Sequence, residues 1–121
     1  MEQGEGAAED VIRRAYAAFN ARDVDGALAQ MDPEVDWPNV MEGKRARGHE
    51  EVRRYWLLQW SQTEPHVEPR HFTVTPDGRI AVDVHQTVRS KTGEPLADRM
   101  VRHVFTLRNG FVVRMDVEEP D

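Results

Sequence analysis

Residues 79–118 read RIAVDVHQTVRSKTGEPLADRMVRHVFTLRNGFVVRMDVE, and apolar and polar side chains alternate along three runs of this segment. The runs span Ile80 to Val88, Leu96 to Leu107 and Phe111 to Val117. Gly93 and Gly110 lie between the runs, where a hairpin turn needs a positive φ. A fourth run, Val67 to Thr75, enters through Pro76-Asp77-Gly78. The segment therefore predicts a four-stranded antiparallel sheet.

The turn at residues 108–110 decides which side chains face each other across the last hairpin, because a slip by one residue exchanges the two faces of a strand. A three-residue loop places His103 opposite Met115, whereas a two-residue turn at Asn109-Gly110 places it opposite Asp116. We favour the three-residue loop because its faces alternate more cleanly. The preceding hairpin then sets Val82, Val84, Gln86 and Val88 opposite His103, Val101, Arg99 and Ala97.

The two faces of the predicted sheet differ in polarity. The inner face is apolar except for Gln86, Arg99 and His103. Buried polar groups need partners, so these three are either satisfied core groups or the polar end of a pocket. The outer face mixes apolar residues with charges and is either a dimer surface or a half-polar solvated face. Opposite charges line up across its four strands, which indicates a structural role for His71, Asp83, Arg102 and Asp116.

The first half of the chain predicts helices, because its apolar residues recur at helical spacing. The helices are expected at Glu9 to Ala21, Val24 to Met31 and His49 to Gln62. Asp23 is a suitable N-cap for the second of them. Residues 35–37 are expected to form a short strand and residues 39–47 a loop. Helices followed by long strands indicate the α+β class, with three N-terminal helices packed on a curved antiparallel sheet.

Length, charge and composition exclude several classes of protein. The 121 residues suit one domain at residues 9–121, preceded by a disordered tail at residues 1–8. The net charge of −6 comes with no basic stripe, which argues against nucleic acid as a partner. No run is long enough to span a membrane, no signal peptide is visible, and cysteine is absent, so we expect a cytoplasmic protein. The five histidines lie at no metal-ligand spacing, so we expect no metal site.

Four stretches of the sequence carry a family resemblance. VIRRAYAAFNARDVDGAL at 11–28 and DPEVDW at 32–37 are similar to the opening of SnoaL-like and ketosteroid-isomerase-like proteins of the nuclear-transport-factor-2-like superfamily. GHEEVRRYW at 48–56 and RHVFTLRNG at 102–110 fit the third helix and penultimate hairpin of that family. The resemblance implies a cone-shaped, cystatin-like roll around an apolar cavity. It also implies a homodimer formed through the outer sheet face.

The resemblance does not extend to the catalytic groups of ketosteroid isomerases. Those enzymes use a tyrosine of the first helix and a protonated aspartic acid as an oxyanion hole, and a second aspartate as the base. The corresponding positions here hold Ala15, His103 and Trp37, and Tyr16 lies one residue beyond the tyrosine position. Steroid isomerisation by that mechanism is therefore not expected.

Two inner-face residues are the candidates for catalysis. His103 has an ordinary pKa near 6.5 and can act as an acid or a base at neutral pH. The alternative is a core histidine bonded to Tyr16 or to the backbone. Arg99, two inward positions along the same strand, would bind a carboxylate or an enolate, or would instead pair with Glu68 at the mouth of the cone.

Other side chains are expected to form the walls of the cavity. Gln86 would orient Arg99 or His103, and Asp36 is a lesser candidate base that a strand bulge would have to turn inward. Each aromatic candidate is alternatively a plain core residue. The expected lining residues are Tyr16, Phe19, Trp37, Trp56, Trp60, Phe72 and Phe105.

These residues lead to one functional hypothesis and one alternative. The first is a cofactor-independent enzyme of the isomerase, cyclase or hydratase type that acts on an apolar, ring-containing small molecule by general acid and base chemistry. The alternative is a non-catalytic domain of the same fold, which either binds a small molecule or serves as a dimeric accessory domain.

Overall fold

The computed structural model describes residues 4–119, which form three helices and six strands. The helices are α1 (Gly4–Asn20), α2 (Val24–Leu28) and α3 (Gly48–Gln62). The strands are β1 (Met31–Asn39), β2 (Lys44–Arg47), β3 (Thr63–Val74), β4 (Ile80–Ser90), β5 (Pro95–Arg108) and β6 (Phe111–Glu118). Helices packed on a curved sheet confirm the predicted α+β class.

The six strands form one sheet in the order β2-β1-β6-β5-β4-β3. All neighbouring pairs are antiparallel except β1 and β6, which run parallel. The prediction of four strands was therefore too small, and the expected loop at 39–47 was partly wrong because β2 lies within it. Two prolines concealed the length of β1. Pro33 falls between Met31 and Asp36, where pairing with β6 is interrupted, so its missing N–H removes no hydrogen bond to β6.

The helix boundaries also differ from the predicted ones. The first helix begins at Gly4 and not at the predicted Glu9, while residues 1–3 lie outside the described part of the chain. Good helix formers such as Ala7 and Ala8 extend it. The second helix ends at Leu28, because the chain turns and enters β1. Asp23 caps it as predicted, with its carboxylate accepting a hydrogen bond from the Gly26 N–H at 3.0 Å.

The β4–β5 pairing is as predicted, with Val82 opposite His103 and Gln86 opposite Arg99. The β5–β6 pairing is not, because His103 lies opposite Val117. Asn109 and Gly110 both adopt positive φ, at 57° and 83°, and form a two-residue turn. A bulge then shifts the register by one residue between the Thr106–Arg114 and Leu107–Val112 pairs. The shorter turn and the bulge each shift β6 relative to β5, and the two shifts together leave the side chains beyond the bulge on their predicted faces. His103 therefore still points inward.

The Asn109-Gly110 turn gives a first testable prediction. Gly110→Ala forces a side chain into the left-handed region and is expected to lower the free energy of unfolding by about 1 kcal/mol. Asn109→Gly at the neighbouring position relieves such strain and should change the free energy of unfolding by less than about 0.5 kcal/mol. Urea unfolding of the two variants and the wild type measures this. Equal losses in both variants would contradict the strain argument.

The outer face of the sheet is held by ion pairs. Asp83 lies opposite both His71 and Arg102, and Arg102 donates to its carboxylate at 3.1 Å, which confirms three members of the predicted charge ladder. Asp116, the fourth, lies opposite Val104 and binds Arg114 instead, because the bulge in β6 displaces it. The formation of a dimer through this face stays a prediction.

The core lies between the helices and the inner face of the sheet. Helix α1 packs on β3 and β6, and α3 packs on β1, β2 and β3. The side chains between these layers are almost fully shielded from solvent, and the central ones are Ile12, Val35, Val52, Trp56, Val82, Val84, Phe105 and Val112. This packing leaves a cavity beside His103, where the candidate site lies.

Candidate active site

A cavity of about 220 Å³ lies between the helices and the inner face of the sheet. Its buried part is formed by α1, α3 and the middle of β5. Its exposed rim is formed by the β1–β2 loop, the end of β6 and the first part of β5. The lining residues are Ala15, Tyr16, Phe19, Met31, Trp37, Pro38, Val40, Met41, Tyr55, Trp56, Gln59, Val67, Gln86, Arg99, His103, Phe105, Met115 and Val117.

Tyr16 and His103 form a hydrogen-bonded pair in the buried part of this cavity. The Tyr16 hydroxyl lies 2.7 Å from His103 Nδ1, and both side chains are more than nine-tenths buried. Helix α1 presents Tyr16 and β5 presents His103, and the two rings stack with their centroids 5.9 Å apart. The edge of Phe105 closes the pair from one side. The pair is therefore held rigidly at the cavity wall.

Burial decides where the protons of this pair reside. It raises the pKa of Tyr16 well above its ordinary value and lowers the pKa of His103 to about 4, so both groups are neutral near pH 7. His103 Nδ1 is the only partner of the Tyr16 hydroxyl among residues 4–119, so we assign the hydroxyl as the donor. The ring proton of His103 then resides on Nε2, which has no partner within those residues. His103 thus presents an N–H donor to the cavity.

The low pKa of His103 predicts a dependence of stability on pH. Between pH 4 and the ordinary pKa of 6.5, the unfolded chain binds a proton at this histidine and the folded chain does not. Stability therefore falls as the pH falls through this window. We expect this group to remove about 2 kcal/mol from the free energy of unfolding between about pH 7 and about pH 5. Urea unfolding at both pH values should show that His103→Asn lacks this loss, and an unchanged loss in that variant would contradict it.

Aromatic rings form the walls around the polar pair. Trp56 of α3 is 2% exposed and makes edge contacts with Trp37 and Phe19, at centroid distances of 5.4 and 5.6 Å. Trp37 in turn packs on Phe105 at 6.2 Å. Such edge contacts fix the rings in place as well as burying them. The cavity consequently has stiff, apolar walls suited to a flat ring.

Two of the expected lining residues lie outside the cavity. Trp60 packs behind the wall, with its ring 5.3 Å from Phe19, and the Arg22 guanidinium lies 5.4 Å from its ring centroid. Phe72 is half-buried and is covered by Arg13 of α1, whose guanidinium lies 4.4 Å from its ring centroid. The alternation along the strand does not show what covers Phe72. In the structure, helix α1 lies there. The five other aromatic candidates line the cavity.

Gln86 and Arg99 also line the cavity, toward its rim. Arg99 is exposed, and the alternative pairing with Glu68 is not found, because Glu68 binds Arg70 at 3.0 Å. Within residues 4–119, no carboxylate pairs with Arg99. Tyr16, His103 and Arg99 are therefore brought to one cavity, with the neutral pair inside and the cation at the rim.

Asp36 points away from the cavity. Its carboxylate accepts hydrogen bonds from Arg45 at 2.6 Å and Arg114 at 3.0 Å on the outer side of the sheet. The bulge in β1 lies before Asp36 and does not turn its side chain inward. Asp36 is therefore not placed in the cavity. The ketosteroid-isomerase positions Ala15, Trp37 and His103 all line the cavity.

Sequence reasoning missed most of the rim. Val40 and Met41, which are 66% and 43% exposed, lie in the β1–β2 loop beside Tyr55, whose hydroxyl meets their backbone. Two apolar residues within a predicted loop were the available signal, but the sequence pattern does not show whether such residues border a cavity. Met115 and Val117 line the cavity because the β6 bulge keeps both on the inner face.

Two general properties complete the description of residues 4–119. None of their helices is long and apolar enough to cross a membrane. They also bring no three metal-ligating side chains together.

Solved structures with this fold are numerous. TerC, co-crystallised with polyporic acid, is 27% identical at a TM-score of 0.81, and the alignment covers 94% of this chain and 92% of TerC. A nuclear-transport-factor-2-like protein from Burkholderia pseudomallei has the same identity and TM-score, with 94% and 91% covered. A Mycobacterium tuberculosis protein in complex with estradiol-17β-hemisuccinate shares the fold at 15% identity and a TM-score of 0.77, with 90% of each chain covered.

The family comparison covers most of the chain. No functionally curated protein matches it. The SnoaL-like domain, by contrast, matches residues 12–115, which include the Tyr16–His103 pair and nearly the whole sheet. The sequence resemblance seen in four separate stretches is thereby confirmed over one continuous region, and the protein belongs to the SnoaL-like domain family.

Proposed function

We propose that this protein is a cofactor-independent enzyme of the isomerase, cyclase or hydratase type, acting on an apolar, ring-containing small molecule in the cavity. The hydrogen bond of 2.7 Å to Tyr16 is also expected of a core histidine, so the observation that carries the proposal is that His103 lines an otherwise apolar cavity. A cavity of about 220 Å³ holds a molecule of one or two rings, since a cavity of ~150 Å³ binds benzene. TerC was crystallised with polyporic acid, so a protein of similar fold supports the proposal that this cavity takes up a small molecule.

The chemical role of the pair follows from its protonation. His103 Nε2–H donates a hydrogen bond to a carbonyl oxygen of the bound ring, and the donor strengthens as negative charge develops on that oxygen. Tyr16 holds the imidazole in the required tautomer by donating to Nδ1. Isomerisation and ring closure next to a carbonyl both pass through an enolate, so one donor serves both reactions. A preformed donor in a dry site costs little reorganisation at the moment of reaction.

His103 is better suited to this role than to that of a base. A base works best when its pKa lies near the working pH, and burial lowers the pKa of His103 to about 4. No Asp or Glu side chain lines the cavity among residues 4–119. The proton of the substrate is therefore taken by water or by a group of the substrate itself.

The experiment that tests the proposal measures enolate formation directly. The exchange assay follows deuterium uptake at the carbons next to the carbonyl of 2-tetralone, by NMR in D₂O, with and without the protein. The proposal predicts faster exchange with the protein, and a bound carbonyl shifted to lower infrared frequency by the hydrogen bond. An exchange rate equal to that of buffer alone, with 2-tetralone bound, would refute catalysis at this site.

The second candidate function is a non-catalytic small-molecule-binding domain. The absence of a carboxylate base from the described cavity lining favours it, since most proton transfers at carbon need one. A binding domain would take up ring compounds with no acceleration of exchange. If 2-tetralone saturates the cavity and its deuterium exchange is no faster than in buffer, the protein is a binding domain. Faster exchange indicates an enzyme.

A further inference from the structure

The charge of the cavity lining is the starting point. Of its eighteen side chains, Arg99 alone carries a charge near neutral pH, because burial keeps His103 neutral. The chain as a whole has a net charge of −6, yet no carboxylate lines the cavity among residues 4–119. The rim of the cavity therefore carries a positive charge, although the net charge of the chain is negative.

Among residues 4–119, Arg99 also differs from most arginines in having no acidic partner. On the outer face and on α1, arginines such as Arg13, Arg45 and Arg114 bind a carboxylate at 2.6–3.0 Å. Arg99 has no ion pair within residues 4–119, and the residue opposite it on β4 is Gln86, an uncharged side chain that also lines the cavity. Its guanidinium is consequently available to a ligand.

The spacing of the two polar ends constrains the shape of that ligand. Arg99 and His103 lie on the same face of β5, four residues apart, which separates their Cα atoms by about 13 Å along the strand. Between them the inner face is aliphatic, with Val84 opposite Val101 and both nearly inaccessible to solvent. An arginine side chain spans about half of that distance when it folds toward the cavity.

We infer that the substrate of this site is an anionic ring compound, with its carbonyl at His103 and a carboxylate or similar anion at Arg99. This inference rests on the proposed function and adds the class of substrate to it. Arg99 is then a substrate-binding residue at the far end of the ring, and the reacting oxygen meets His103 alone. Gln86 donates a second, neutral hydrogen bond to the same anion.

The test compares two probes of nearly equal shape, 2-naphthoate and 2-naphthamide, by isothermal titration calorimetry. We expect 2-naphthoate to bind the wild type about tenfold more tightly, because a hydrogen bond to a charged group contributes more than one to a neutral group. Arg99→Gln should weaken the binding of 2-naphthoate by about tenfold and change the binding of 2-naphthamide by less than about twofold. Arg108→Gln is the matched control, since Arg108 is exposed at the opposite end of β5 and outside the cavity.

Each outcome decides the inference. Equal binding of the two probes by the wild type, or equal losses in Arg99→Gln and Arg108→Gln, would overturn it and leave the proposed function standing. Binding of neither naphthalene probe would overturn it too, and a simultaneous failure of 2-tetralone to bind would overturn the proposed function as well. Higher ionic strength should narrow the difference between the probes, because the guanidinium is exposed.

Discussion

His103→Asn is expected to slow protein-catalysed deuterium exchange into 2-tetralone by about 10²–10³-fold, the usual cost of removing one oxyanion donor. The Asn Oδ1 atom takes the place of Nδ1 and still accepts the Tyr16 hydroxyl, which the structure places 2.7 Å from that position. The shorter side chain has no donor at the position of Nε2. The variant therefore keeps the buried hydrogen bond and loses the group that faces the cavity.

His103→Gln is the matched variant, because its amide nitrogen reaches the position of Nε2. We expect it to retain more exchange activity than His103→Asn. Equal and complete loss in both variants would instead assign proton transfer to the imidazole. Thermal unfolding serves as the control, since a collapse of stability in His103→Asn alone would mean that the lost activity reflects the fold and not the donor.

Trp56→Ala is expected to lower the free energy of unfolding by about 3–5 kcal/mol. Trp56 is 2% exposed, and its ring contacts Phe19, Trp37 and Trp60 between α3 and the sheet. Removing the indole leaves a hole beside the existing cavity, and the stiff rings around it cannot close that hole without losing their own contacts. Urea unfolding of the variant measures the loss.

Leu57→Ala is the control for the same helix turn. Leu57 is the next residue of α3 and is 50% exposed, so its truncation should cost less than about 1 kcal/mol. A loss in Trp56→Ala no larger than that of Leu57→Ala would show that the cavity wall repacks freely. The rigid walls inferred for the site would then be wrong.

The sheet was predicted well where local pattern decides it. The alternation along β4 and β5 predicted the opposition of Val82 and His103 and of Gln86 and Arg99. It failed at the β5–β6 turn, where Asn109 adopts a positive φ and a bulge in β6 compensates for the shorter loop. Neither feature changes the hydrophobic pattern, so the pattern could not reveal them.

The site was predicted in part. The inward position of His103 followed from strand parity, and the resemblance to SnoaL-like proteins indicated the roll around it. The structure places Trp60 and Phe72 outside the cavity lining, where Arg22 lies over the ring of Trp60 and Arg13 of α1 over that of Phe72. An amphipathic pattern shows which face of a helix is buried, but not which of two neighbouring buried rings borders a cavity.

The sequence by itself determined the α+β class, the inner face of the long strands and the family of the chain, because these depend on side-chain periods and turn residues that are local. The tertiary structure alone decided that Tyr16 meets His103 across 87 residues, that burial lowers the pKa of His103 to about 4, and that Asp36 faces outward. Those properties arise from how deeply helices and sheet bury particular atoms. Burial of this kind is a sum over contacts from the whole chain, and no local segment contains it.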